Sequence, residues 1–195
     1  MVDQFDMERE FFAMLEQYDE VITERVAAEG CPKCGGPLHR GDYERKPRGG
    51  LLGPASEAFS LRFSLCCGRE GCRKRATPPS LRFLGRRVYV GAVVIAASIL
   101  ARLLKAALSM RKATGVPART VRRWLGWWQG PFLSTEVLVA IRARLVGIEV
   151  EQLPTSIVCR LEGTGPGRMQ TLLALLAPLT TASVPNGSRF VRNAY

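Results

Sequence analysis

The sequence predicts a mainly α-helical protein carrying one small β element built around cysteines. Three observations lead to this. Apolar residues recur at three- and four-residue steps near the amino terminus, and long helical segments return past residue 80. A stretch rich in glycine and proline, residues 31–72, breaks any helix between them. Two close groups of cysteines bracket that stretch. With 195 residues, 47% hydrophobic and 23% charged, the composition is that of a folded chain with one or two small domains.

The first element, residues 1–29, is predicted from Phe5 onward by Phe11, Phe12, Met14, Leu15, Tyr18, Val21, Ile22 and Val26, which keep helical spacing until Gly30. Its other face is acidic: nine acids stand against Arg9 and Arg25, a net of −7. The expectation is a solvated face; the functional counterpart is a helix that docks on a partner or covers the basic segment that follows. Residues 30–80 form the β element. In it Phe59, Leu61, Phe63 and Leu65 alternate with Ser60, Arg62 and Ser64, a strand with one buried face that leads into Cys66 and Cys67. The intervening KPRGGLLGPAS reads as an exposed loop.

Residues 81–130 read as a helical domain. A buried helix is predicted over 81–104 and a second amphipathic piece over 105–112, followed by a turn at Thr114, Gly115 and Val116. Pro117 suits the first position of a helix that places Val121, Trp124, Leu125 and Trp128 on one side and ends at Pro131. The tail, 131–195, gives two more helices, over about 135–146 and 168–176.

The cysteines point to a metal. Cys31-Pro-Lys-Cys34-Gly-Gly has the spacing and glycines of a knuckle, whose tight turn aims backbone amides at two thiolates. A second group, CCGREGC, lets four soft ligands converge as in a zinc ribbon. The expected ligands of Zn2+ are Cys31, Cys34, Cys67 and Cys72, with Cys66 the alternative fourth, since strand neighbours point to opposite faces. His39, the only histidine, is a less favoured substitute, and Cys159 is expected to be a buried core thiol. Four cysteines close the tetrahedron, so the site is expected to be structural.

Charge suggests the partner. The chain carries net +11, concentrated at +16 in residues 30–128 and only +2 beyond. Codon bias can exchange Lys for Arg but cannot remove acids, so a polyanion is implied, with nucleic acid ahead of an anionic membrane surface. The longest charge-free apolar run, Val88 to Ala101, has 14 residues against the roughly 20 that span a bilayer. With an acidic start in place of a basic leader, the expected location is cytoplasmic. In the helix after Pro117, Arg119, Thr120, Arg122 and Arg123 lie away from the apolar side and are candidates for DNA contact in a helix-turn-helix. Lys46, Arg48, Arg73, Lys74 and Arg75 are candidates in the cysteine-bearing segment. Arg111 departs from the helix-turn-helix pattern, which wants a small residue four before the turn glycine.

With these motifs read, the order CPKCGG, LCCGREGCRKRATPPSLRFLGRRVY and GVPARTVRRWLGWW, over residues 31–130, resembles the amino-terminal part of insertion-sequence transposases. It is closer still to short transposon-associated bacterial proteins that carry a zinc ribbon and helical tail without a catalytic domain. The resemblance implies a non-enzymatic DNA-binding accessory or regulatory protein of a mobile element, with DNA as partner and a transposase core protein as a second one. The four aspartates Asp3, Asp6, Asp19 and Asp42 all precede the second cysteine group, which departs from a two-metal nuclease. Two other expectations stand beside it: a zinc-stabilised protein-interaction module, and the DNA-binding subunit of a split transposase.

Overall fold

The computed structural model describes residues 9–45, 59–84, 89–103, 116–185 and Arg189. Helix α1, Arg9–Glu29, buries Phe11, Phe12, Leu15, Ile22 and Val26, the apolar positions its periodicity marks. It ends at Gly30, whose φ of +79° reverses the chain where an added Cβ would lie 3.1 Å from the Gly35 carbonyl oxygen. Three short strands, β1 (Leu38–Arg40), β4 (Leu65–Cys67) and β5 (Arg75–Ala76), make an antiparallel sheet in the order β1-β4-β5. Between them β2 (Tyr43–Glu44) pairs with β3 (Leu61–Arg62).

The single alternating strand expected over 59–65 is therefore two strands with different partners. Asp42 accepts the Ser64 N–H at 2.8 Å, taking that amide out of any ladder, and Arg62 is buried where an exposed position was expected. Its guanidinium donates to the Pro78 carbonyl at 2.7 Å. Burial lowers the Arg62 pKa, against the opposing attraction of Asp19.

The expected helix over 81–104 starts ten residues late. Phe83–Leu84 (β6) instead pairs antiparallel with Tyr89–Val90 (β7), and helix α2 covers Gly91–Leu103. A buried polar network on α1 accounts for the difference. Asp19, fully buried, accepts from the Ser80 hydroxyl, from Leu81 N–H at 2.6 Å and from Arg82 Nε at 2.9 Å. Those bonds pin residues 80–82 in a non-helical conformation. Asp19 thus leaves the solvated face expected for the acidic side of α1. Glu16 and Glu20 on the same helix bind Arg82 and Arg40, at 2.9 and 2.8 Å.

Helix α2 is buried on nearly all sides from Ala92 to Ile99, which makes it the centre of the molecule. Gly91 admits its first turn, since a Cβ there would fall 2.6 Å from Leu173 Cδ2. Helix α3, Ala118–Gln129, crosses it, and Trp128 Nε1 donates to Ser98 Oγ at 3.2 Å. The tail supplies α4 (Glu136–Arg142), α5 (Thr155–Val158) and α6 (Gly165–Leu176), with 3-10 turns at Pro131–Ser134, Val150–Gln152 and Ala177–Thr180. Helix α4 stops four residues short of the expected end and α6 starts three early. Buried residues from Phe11 on α1 to Val184 form one contiguous cluster. The loop KPRGGLLGPAS, the piece over 105–112, and Thr114 and Gly115 lie outside the described residues. Among the described residues, no helix is long and apolar enough to cross a membrane.

Candidate metal centre and the cationic helix

Antiparallel pairing assembles the cysteine cluster. The turn that follows α1 carries Cys31 and Cys34 and feeds the start of β1, where Leu38 faces Cys67 at the end of β4. The β4–β5 turn, with Cys72, lies at that same end of the sheet. The four Sγ atoms lie within 4.8 Å of one another, with Cys31–Cys72 at 3.8 Å and Cys34–Cys67 at 3.5 Å. These are thiols and not disulfides, whose sulfurs stand about 2.05 Å apart. A tetrahedral ion with metal–sulfur bonds of about 2.3 Å sets its sulfurs about 3.8 Å apart, so the cluster could hold a metal ion and is compatible with zinc.

The backbone around it is shaped for sulfur. Cys31 accepts on its carbonyl from Gly35 N–H at 2.8 Å, and Cys31 N–H returns to Gly36 at 2.8 Å, which closes the turn. Gly36 sits in a tight space: a Cβ there would lie 3.1 Å from Arg69 Cβ and 3.3 Å from both Cys34 Sγ and Cys67 Sγ, so the cluster would have to give by a few tenths of an ångström. The Lys33 amide lowers the Cys31 thiol pKa to about 7, against burial. At Cys67 the Arg69 amide acts in the same direction. Burial and the hydrogen bonds shared with Cys34, Cys31 and Cys72 outweigh it and push the value up to about 12. Four thiols this close cannot all ionise without a cation between them.

Cys66 faces the other way. It shares a cross-strand row with His39 and Arg75 and lies 3.7 Å from the Arg73 carbonyl oxygen. His39 is exposed and its ring covers Gly68, outside the cluster. Cys159 is exposed, against the buried thiol expected, because it follows the short helix α5, whose buried positions are Ser156 and Ile157.

Arg69 packs over Gly36 and donates to the Cys34 carbonyl at 2.9 Å, a contact that sequence spacing gave no reason to expect. Arg73, Lys74 and Arg75 are exposed, and Arg75 donates to the Gly41 carbonyl at 2.7 Å and to Ser64 Oγ at 2.9 Å, which ties β5 to the β1–β2 turn and to the residue before β4. Lys46 and Arg48 lie outside the described residues. On α3, Val121, Trp124 and Trp128 are buried and Leu125 half-buried, while Arg119, Arg122 and Arg123 are exposed and Thr120 half-buried. Pro117 stands one residue earlier than expected, at the N-cap, and its carbonyl accepts from Thr120 N–H at 2.8 Å. Val116 beside it is buried. Arg123 donates to the Tyr89 hydroxyl at 2.6 Å. No protein-family model matches the chain, and no curated protein and no solved structure matches it either.

Proposed function

We propose that the chain is a non-enzymatic DNA-binding accessory or regulatory protein of a mobile element. In this reading Zn2+ joins Cys31, Cys34, Cys67 and Cys72 into a zinc ribbon, and α3 is the recognition helix of a helix-turn-helix. The observation that carries the reading is the division of α3 between a buried apolar side and an exposed cationic one. Arg40, Arg82 and Arg189 each have a carboxylate partner on α1, but Arg119 and Arg122 have none among the described residues. A cationic surface without carboxylate partners among the described residues suits a polyphosphate. A four-cysteine centre leaves no coordination position for a reacting water, which supports a structural metal and a non-enzymatic role.

The test is DNA binding by the zinc-loaded full chain to a mixed-sequence duplex, followed by fluorescence anisotropy across a salt series. Each neutralised phosphate contributes about 0.9 to the slope of log affinity against log salt. The triple variant Arg119→Ala, Arg122→Ala, Arg123→Ala should bind more weakly and with a shallower slope. Unaltered affinity in a folded triple variant removes α3 from the interface. Absence of salt-dependent binding in the wild type overturns the DNA reading in favour of a zinc-stabilised protein-interaction module.

A further inference from the structure

The three arginines of α3 are not equivalent. Arg119 and Arg122 extend from the helix with no partner among the described residues, whereas Arg123 is held by Tyr89. One guanidinium nitrogen donates to the Tyr89 hydroxyl at 2.6 Å, and the guanidinium carbon stands 5.8 Å from the centroid of the same ring. Tyr89 is itself fixed. It pairs with Leu84 in the β6–β7 hairpin, is half-buried, and meets Trp124 edge to face at 5.3 Å. Trp124 is the residue after Arg123 and belongs to the buried side of α3. The arginine is therefore held by the hydroxyl of a ring that the core immobilises.

The nature of the holding group matters. Arg82 and Arg40 are held by carboxylates, which orient the side chain and cancel its charge. The Tyr89 hydroxyl is neutral, so it orients Arg123 and leaves the positive charge and the other N–H donors for a ligand. An arginine reads guanine by presenting two parallel donors in a fixed plane to O6 and N7, and the requirement is geometric. A phosphate contact needs only a charge within reach, which a mobile side chain satisfies. Pre-ordering also removes much of the rotamer freedom that a long side chain otherwise loses on binding.

We propose that Tyr89 is a positioning residue that makes Arg123 the base-reading side chain of α3, while Arg119 and Arg122 contact phosphate. This rests on the DNA-binding reading above and assigns different tasks within it.

The test uses the zinc-loaded full chain and a pool of duplexes with a randomised centre, sequenced after selection, together with a salt series on one mixed-sequence duplex. Arg123→Ala should flatten the selected preference at one base pair by about fivefold or more. Tyr89→Phe keeps the ring on Trp124 and removes only the acceptor, so it should weaken the preference at that same base pair by about two- to tenfold with the salt slope unchanged. In an Arg123→Ala background, Tyr89→Phe should add nothing, an outcome that a general structural role would not produce. Arg119→Ala and Arg122→Ala should each lower the salt slope by about 0.9 and leave the selected sequence intact. The proposal is overturned if the wild type selects no sequence, if Tyr89→Phe leaves the preference unaltered or alters it equally without Arg123, or if Arg123→Ala weakens all duplexes alike with a fall in slope. If the wild type retains no member of the pool, the DNA-binding reading itself has failed, which the salt series on the mixed-sequence duplex registers separately.

Discussion

Replacing Asp19 by Ala removes an acceptor shared by three donors, the Ser80 hydroxyl, the Leu81 amide and the Arg82 guanidinium. Asp19 and Arg82 are both fully buried, and Arg82 lies between the rings of Phe63 and Phe83, 4.2 and 5.3 Å from their centroids. Taking one partner from a buried pair leaves the other charge in a medium that solvates it poorly, at a cost of about 3–5 kcal/mol. Glu16 survives as a second partner for Arg82 at 2.9 Å, which places the loss near the lower figure, about 3 kcal/mol. For a chain of this size that corresponds to a fall in Tm of roughly 6–12 °C. Urea unfolding followed by circular dichroism, compared with a thermal scan, measures it. The double variant Asp19→Leu, Arg82→Met removes both charges and should recover only part of the loss, because the unpaired charge is gone but the Ser80 hydroxyl and the Leu81 amide still lack their acceptor. A Tm within about 2 °C of wild type for Asp19→Ala would refute the argument, since it would mean that the network is solvated or that α1 is not held through it.

Metal analysis of protein purified without chelator should find one zinc per chain, lost in Cys31→Ser and Cys72→Ser and kept in Cys66→Ser and Cys159→Ser; zinc retained by Cys72→Ser would remove that residue from the ligand set. Chelation should melt the β1-β4-β5 sheet, seen as a loss of protection in hydrogen exchange, because zinc supplies roughly 10–16 kcal/mol to the folding of such sites. Gly36→Ala places a methyl 3.3 Å from two of the sulfurs and should weaken metal retention against a competing chelator, whereas Gly68→Ala, which displaces the exposed His39 ring and otherwise meets the Pro37 carbonyl oxygen at an ordinary 3.7 Å, should leave it unchanged. Gly91→Ala drives a methyl into the buried Leu173 side chain and should cost about 1–3 kcal/mol by thermal unfolding.

Features set by neighbours a few residues apart were legible in the sequence. The apolar period of α1, the two-sided α3 and the Cys31–Cys34 turn with its glycines all depend on local geometry, and the structure places them within a few residues of their expected positions. The choice between Cys66 and Cys67 was open, because alternation along a strand says only that the two differ. The pairing of Leu38 with Cys67 puts Cys67 beside the first turn, and that register involves residues 29 positions apart. Arg62 and Ser64 misled for a similar reason: a polar residue reads as exposed until a distant acceptor such as the Pro78 carbonyl is in view.

Residue types and their local spacing carry the cluster of cysteines, the excess of cations in residues 30–128 and the apolar periods of α1 and α3. Long-range packing sets the binding of α1 to the core through Asp19, the start of α2 at Gly91 and the hold of Tyr89 on one of the three arginines. Helical period comes from backbone geometry repeated over a few residues, so a short window carries it. A buried ion pair or a positioned side chain is the meeting of groups remote in sequence, here 63 residues apart for Asp19 and Arg82 and 34 for Tyr89 and Arg123. Burial and a low local dielectric, which arise only once the chain is folded, give such contacts their strength.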